Sequence, residues 1–305
     1  MCTRTTAARP RRRHPDGEVT GTVSTSALPL VTALVGLLGL AIGSFLNVDV
    51  HRIPAGMSVV APASSCPGCG HGIRGRDNVP VVSWLLLRAR CRDCDAPISA
   101  RYPLVEAATG LLFVAVTLLS VLAPWSTSAA PDGVPGAIHA ATLLVALLYL
   151  MAISISLTLI DLDTHTLPNR IVLPAYIVLS VLLLAASAAS GDWGAALRGL
   201  IGLVVLGGVY LVLALAVPGG MGLGDVKLAG VLGLVLAYLG WGPLAVGSSA
   251  AFLLGGTFAV VLLAVRRAGR RSGIPFGPWM LAGAWLGIAV GAPAWDGYLR
   301  LLGLA

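Results

Sequence analysis

Two short acidic segments interrupt a chain that is otherwise largely apolar: LIDLDTHTLPNRIVLP at 159–174 and GGMGLGDVKLAG at 219–230. Their acids are Asp161, Asp163 and Asp225. An ionisable group in or beside a bilayer is costly, so each is a functional candidate by default. Gly220, Gly222 and Gly224 lack Cβ atoms, which lets the backbone before Asp225 bend and approach another chain closely. A carboxylate so placed could meet a second carboxylate with a peptide between them. Two such acids do not both ionise easily and share a proton. One takes a proton from water while the other protonates the scissile carbonyl oxygen. No covalent intermediate is needed, and the pair titrates as a unit. Helical residues turn by about 100° each, so Asp161 and Asp163 point roughly 200° apart and only one can face a given partner. The geometry does not say which. His165, four residues after Asp161, would share its face. The competing reading is that these acids cap helix ends or pair with Lys227 and Arg170.

A second constellation is CPGC at 66–69 and CRDC at 91–94, with 21 residues between. Four thiolates at such spacing can meet tetrahedrally around zinc, which makes Cys66, Cys69, Cys91 and Cys94 the expected ligands. The gap is slightly longer than in the usual zinc ribbon. Disulfides or free buried thiols are the alternative, and a reducing cytosol disfavours the former. His71, just after the first knuckle, is a possible substitute ligand but is expected at the surface. Cys2 stands apart as a bystander thiol.

The rest of the chain has to position these groups. Of 305 residues, 57% are hydrophobic and 11% charged, against about 25% charged in soluble domains. Runs long enough to cross a bilayer fall at 28–48, 103–123, 138–160, 171–190, 196–217, 226–240, 243–265 and 276–292. This predicts an all-α polytopic membrane protein of about eight transmembrane helices. The 226–240 span is short and reads as a segment entering from one face. The expected divisions are a disordered basic tail at 1–27, a first transmembrane helix at 28–48, a cytosolic zinc-ribbon-like insert with four cysteines at 49–102, and a membrane domain at 103–305. The linker at 124–137, PWSTSAAPDGVPGA, reads as an exposed outer loop. Small residues such as Gly199, Gly207, Gly208, Ala229 and Gly233 suit close helix packing.

The basic residues are 19 Arg and Lys227. No aromatic-interleaved basic groove accompanies them, so nucleic-acid binding is rejected. They report topology instead. With the 49–102 loop in the cytosol, the inside segments hold its seven Arg, then Arg170, Lys227 and the cluster Arg266, Arg267, Arg270 and Arg271. The opposite loops hold only Arg198 and Arg300. The dissent is Arg4, Arg9, Arg11, Arg12 and Arg13, which would lie outside. Either a short tail is translocated or the start codon lies downstream. A multi-pass protein of the plasma membrane is expected, with active site and cysteine insert facing the cytosol.

Six pieces then resemble one family in order: GSFLNVDVHRIP (43–54), CPGCGHGI (66–73), NVPVVSWLLLRARCRDCDAPIS (78–99), RYPLVEAATG (101–110), DLDTHTLPN (161–169) and GMGLGDVKLAG (220–230). The chain resembles a type IV prepilin peptidase, a membrane aspartyl protease with a G-x-G-D motif. The resemblance, not the helix geometry, selects Asp161 and Asp225 as the catalytic pair. It leaves Asp163, Gly222, Gly224 and Lys227 in supporting places. It implies cleavage of the basic leader of prepilins and pseudopilins on the cytosolic side, with the substrate's apolar helix in the bilayer. It also implies methylation of the new amino terminus with S-adenosylmethionine, an activity linked to the cysteine insert. The sequence carries no Gly-rich cofactor signature of its own. Arg101 and Glu106 are the candidates near that chemistry. Glu106 pairs with Arg101 or lines the methyl-transfer site, the structural role being the stronger expectation. Asn47 and Arg52 fit the first motif, as substrate contacts or helix-end anchors. Asp49, Asp77, Asp93 and Asp95 are acidic partners available to a basic leader. One departure is Asp95, where glycine is common in the second knuckle and where the turn is expected to change.

Two other readings compete. A proton-coupled carrier would relay protons through Asp161 and Asp225, but should show matching halves with broken helices, and none is evident. A non-catalytic assembly factor of a pilus or secretion system would not need an intact acid pair.

Overall fold

The computed structural model describes residues 27–122, 133–216, 221–265 and 275–304. The basic tail with Cys2, most of the 124–137 linker, Gly220 and the 266–271 arginines lie outside the described residues. Every expected span is a helix, most of them extended by a few residues at one or both ends. The helices are α1 (Leu28–Arg52), α3 (Arg101–Leu122), α4 (Val134–Thr164), α5 (Asn169–Ser190), α6 (Trp193–Ala216), α7 (Leu223–Leu239), α8 (Trp241–Ala264) and α9 (Gly277–Leu301), with a five-residue α2 (Val82–Leu86) inside the polar insert. No β-strand forms among the described residues; the insert holds two isolated bridges only. Because α1 runs through Asp49 to Arg52 and α3 starts at Arg101, the insert proper is four residues shorter at its start than the 49–102 expectation.

Six of the long helices are long and apolar enough to cross a membrane: α1, α3, α4, α5, α6 and α8. Helix α7 has only 17 residues, about 25 Å at 1.5 Å per residue. Glycine, proline and tryptophan dilute α9. The protein is a multi-pass membrane protein. Helix α7 is enclosed by other helices. Every residue from Leu228 to Tyr238 is buried, as expected for a helix that is apolar all round and enclosed by others. Helices α5, α6, α8 and α9 all pack against it.

Lipid offers no hydrophobic drive between helices, so close approach of backbones has to hold them together. The tightest pairs, α8 with α9, α6 with α7 and α1 with α3, all use glycine. A Cβ at Gly283 would lie 2.5 Å from Ala251 N, and one at Gly43 2.7 Å from Glu106 Cα. Gly202 and Gly233 face each other's backbone directly across α6 and α7. Several buried polar groups pair inside the bundle: His139 Nδ1 with Ala186 O at 3.0 Å, Ser187 Oγ with Tyr238 Oη at 3.1 Å, and Trp285 Nε1 with Ser154 Oγ at 3.1 Å.

Candidate active site

The α4–α5 turn, the starts of α7 and α9, and the polar insert gather at one face of the bundle. Helix α4 ends at Thr164, and His165 follows in left-handed conformation (φ 55°), its N–H on Asp161 O at 2.9 Å. His165 has therefore left the helix and does not continue the Asp161 face by helical register. Asp161 is 4% exposed, and its Oδ2 accepts the Gly277 N–H at 3.0 Å. That N–H belongs to the first turn of α9, whose unpaired donors and dipole favour a negative group. A Cβ on residue 277 would sit 2.7 Å from the same oxygen. Glycine is the residue that lets a helix start touch this carboxylate.

Asp225 occupies the first turn of α7. Its Oδ2 accepts the Gly222 N–H at 3.2 Å, while its own N–H donates to Gly222 O at 3.1 Å. Neither Gly222 nor Gly224 uses a positive φ, so the expected bending is not what glycine supplies here. At Gly224 the need is space: a Cβ would lie 3.0 Å from Leu167 Cβ, and Leu167 also lies against Gly277. Leu167 thus wedges the α4–α5 turn between the helices that carry the two acids. Through Leu167, the Gly277 that holds Asp161 and the Gly224 that precedes Asp225 share one neighbour, which places the two acids at one site. Tyr210, on α6, is 1% exposed and lies in a ring cluster with Phe252 (5.4 Å) and Phe276 (6.3 Å). Among the described residues neither Asp161 nor Asp225 forms an ion pair with Lys227 or Arg170. Lys227 Nζ instead donates to Asn169 Oδ1 at 3.0 Å, and Lys227 O accepts the Tyr176 hydroxyl at 2.6 Å. Lys227 fixes the start of α7 against α5.

Asp163 points away from this pair and is partly exposed. It binds Arg101 at 2.5 Å, tying the end of α4 to the start of α3. The expected Arg101–Glu106 pair does not form, because Glu106 faces the insert. Glu106 is 9% exposed, and its Oε2 accepts the Val81 N–H at 2.7 Å. Val81 has φ 61°, a costly conformation for a β-branched residue, and Glu106 braces it. Asn47 anchors α1 by donating to Tyr102 O at 3.2 Å, and Arg52 Nη1 donates to Ser58 O at 3.0 Å. Arg101 and Glu106 are thus held by Asp163 and by the Val81 N–H respectively.

In the insert, the four thiols of Cys66, Cys69, Cys91 and Cys94 are unbridged, and their sulfurs all lie within 4.8 Å of one another. Cys66 Sγ and Cys94 Sγ are 3.8 Å apart. A tetrahedral ion with metal–sulfur bonds of about 2.3 Å needs sulfur–sulfur edges of roughly that length. The donor set fits a thiophilic metal ion. His71 is outside the cluster, but its backbone O accepts the Cys66 N–H. The two knuckles repeat one hydrogen-bond plan: Cys66 N to His71 O with Gly70 N to Cys66 O, and Cys91 N to Ala96 O with Asp95 N to Cys91 O. Gly70 (φ 74°) and Asp95 (φ 54°) hold equivalent left-handed positions. The expected change of turn at Asp95 does not occur, because aspartate tolerates that conformation better than most residues. Hydrogen bonds from the Gly68 and Cys69 N–H groups lower the Cys66 thiol to about 7. Asp77 with Arg92 (2.6 Å) and Asp93 with Arg74 (2.9 Å) lace the knuckles together, so these acids already have partners. The Arg92 guanidinium holds the Asp77 carboxyl below its ordinary range. Asp49 differs: its Oδ1 is buried without a partner.

Sequence reasoning missed Gly277, Leu167, Tyr210 and Tyr176. Gly277 had one usable signal, a Gly-Pro pair opening a span. The others are apolar or aromatic residues inside apolar helices or turns and carry none.

Residues 37–120 match the bacterial peptidase A24 N-terminal domain, and residues 146–265 match the type IV leader peptidase family. A prepilin leader peptidase/N-methyltransferase of Aeromonas hydrophila is 36% identical over 289 residues, covering 86% of this chain and 91% of the relative. The enzyme of the same description from Pseudomonas aeruginosa is 34% identical, covering 88% and 93%. No solved structure matches.

Proposed function

The chain belongs to the type IV leader peptidase family, and from that premise we propose that it is a membrane aspartyl endopeptidase in which Asp161 and Asp225 cut the basic leader from prepilins or pseudopilins. The observation that carries this is the pair itself: a carboxylate buried against the Gly277 N–H, a second carboxylate brought to the same site around Leu167, and neither in an ion pair among the described residues. The two acids share one proton. The ionised carboxylate takes a proton from water, and the protonated one gives its proton to the scissile carbonyl oxygen as the water oxygen attacks. Collapse of the tetrahedral intermediate returns a proton to the leaving amine. The Gly277 N–H and the Gly222 N–H hold one oxygen of each acid, leaving the others for water and substrate.

The cytosolic face is the side proposed for the dyad and insert, supported by the arginine distribution between loops. Zinc is the metal proposed for the four cysteines, as a structural ion that clamps the two knuckles; it supplies no step in peptide hydrolysis. Methylation of the new amino group by S-adenosylmethionine is proposed as the second activity, on the strength of the relatives' descriptions. Co-expression with a prepilin from the same genome tests both activities. Mass spectrometry of the substrate's N-terminus is expected to show loss of the leader and a terminus heavier by one CH2 group. An intact leader on several candidate prepilins would overturn the peptidase reading.

A further inference from the structure

We propose that the groove between α6 and α8 seats the apolar helix that follows the substrate's scissile bond; this rests on the peptidase reading and adds where the substrate lies. Helices α6 and α8 both lean on α7 and leave a cavity of about 600 Å³ between them. Val205 and Val209 form one wall, and Ala245, Ser249 and Phe252 the other. The surface is apolar: Ser248 and Ser249 direct their hydroxyls to their own helix, at Leu244 O and Ala245 O, 2.7 Å each. Ala245 and Ser249 are four residues apart, which lets a second helix approach closely.

Continuity with the acid pair decides which helix belongs there. At one end of the groove, Phe252 packs on Tyr210 and Phe276, and Phe276 directly precedes Gly277, whose N–H holds Asp161. At the other end stand Trp241 and Trp295, aromatic residues of the kind found at membrane interfaces. The groove therefore starts beside the aspartates and runs away from them across the bilayer. A leader peptidase substrate has the same order: cleavage site at the aspartates, then an apolar helix crossing to the far side. From Phe252 to Trp241 is about 16 Å along α8, enough for about 11 residues of a partner helix. A lipid chain or a second copy of the protein would fill the apolar space but has no reason to begin at the catalytic end.

The test uses the full-length enzyme and a full-length prepilin in detergent micelles. A photoreactive benzoylphenylalanine placed two turns after the substrate's cleavage site, with Asp225→Asn enzyme to hold the uncut complex, is expected to cross-link to α6 and α8. Cross-links confined to other helices or to lipid would overturn the proposal. In parallel, Ser249→Trp is expected to lower kcat/KM by about 10-fold, a loss of about 1.4 kcal/mol of binding. Ser249→Ala, and Val181→Trp on the exposed side of α5, are expected to cut at the wild-type rate. Equal rates for Ser249→Trp and wild type would also overturn it. Wild-type enzyme that leaves the leader intact would count against the peptidase reading alone, since the cross-linking reads the groove independently of cleavage.

Discussion

At the scale of single residues, the site consists of two carboxylates and the backbone groups that hold them. Gly277→Ala is expected to lower cleavage by at least about 10-fold, because its Cβ would displace Asp161 Oδ2 and small misplacements of catalytic groups are costly. Thermal unfolding close to wild type would accompany that loss. Wild-type cleavage by Gly277→Ala would show that the Gly277–Asp161 contact has no catalytic role. Asp163→Asn removes an exposed ion pair with Arg101, worth about 1 kcal/mol or less, and should reduce the rate by less than about 10-fold. Asp161 and Asp225 were legible in the sequence because acids are rare in apolar runs and because their flanking motifs recur in one family. Helix periodicity separated the directions of Asp161 and Asp163 but could not say which one turned inward. Gly277 and Leu167 were not legible, since one acts through a backbone N–H and the other through shape.

At the scale of elements, glycine seams and the metal knuckles set geometry. Gly233→Leu inserts a side chain where α7 meets the α6 backbone, and overpacking of this kind costs about 1–3 kcal/mol. A thermal midpoint at least several degrees lower is expected, measured in detergent; an unchanged midpoint would mean the α6–α7 contact is looser than described. In the insert, purified protein is expected to carry one zinc by elemental analysis, and Cys91→Ser to carry less. Metal binding requires thiolates, so protons compete with it. Acidification from pH 8 to 5 in the presence of a chelator is therefore expected to weaken zinc binding, and an unchanged zinc affinity over that range would contradict a four-thiolate site. The paired C-x-x-C spacing announced this cluster, whereas the lacing of Asp77 to Arg92 and Asp93 to Arg74 was hidden, because any of several acids and arginines in the insert could have paired.

At the scale of the whole molecule, hydropathy revealed all eight long helices, six of them long and apolar enough to cross a membrane, and even the shortness of α7. It could not reveal that α7 is the centre of the bundle, because a short apolar run has the same composition whether lipid or protein surrounds it. Nor could it reveal which helices leave a groove, since that depends on how α6 and α8 sit relative to each other in the bundle. The central claim joins residues 64 apart in sequence into one catalytic unit, and prepilin cleavage rates for Asp161→Asn, Asp225→Asn and the double variant test it most directly. The account predicts that each single variant loses at least about 100-fold and that the double variant is little worse, as expected of residues that act together. Either single variant cutting the leader at close to the wild-type rate would contradict it.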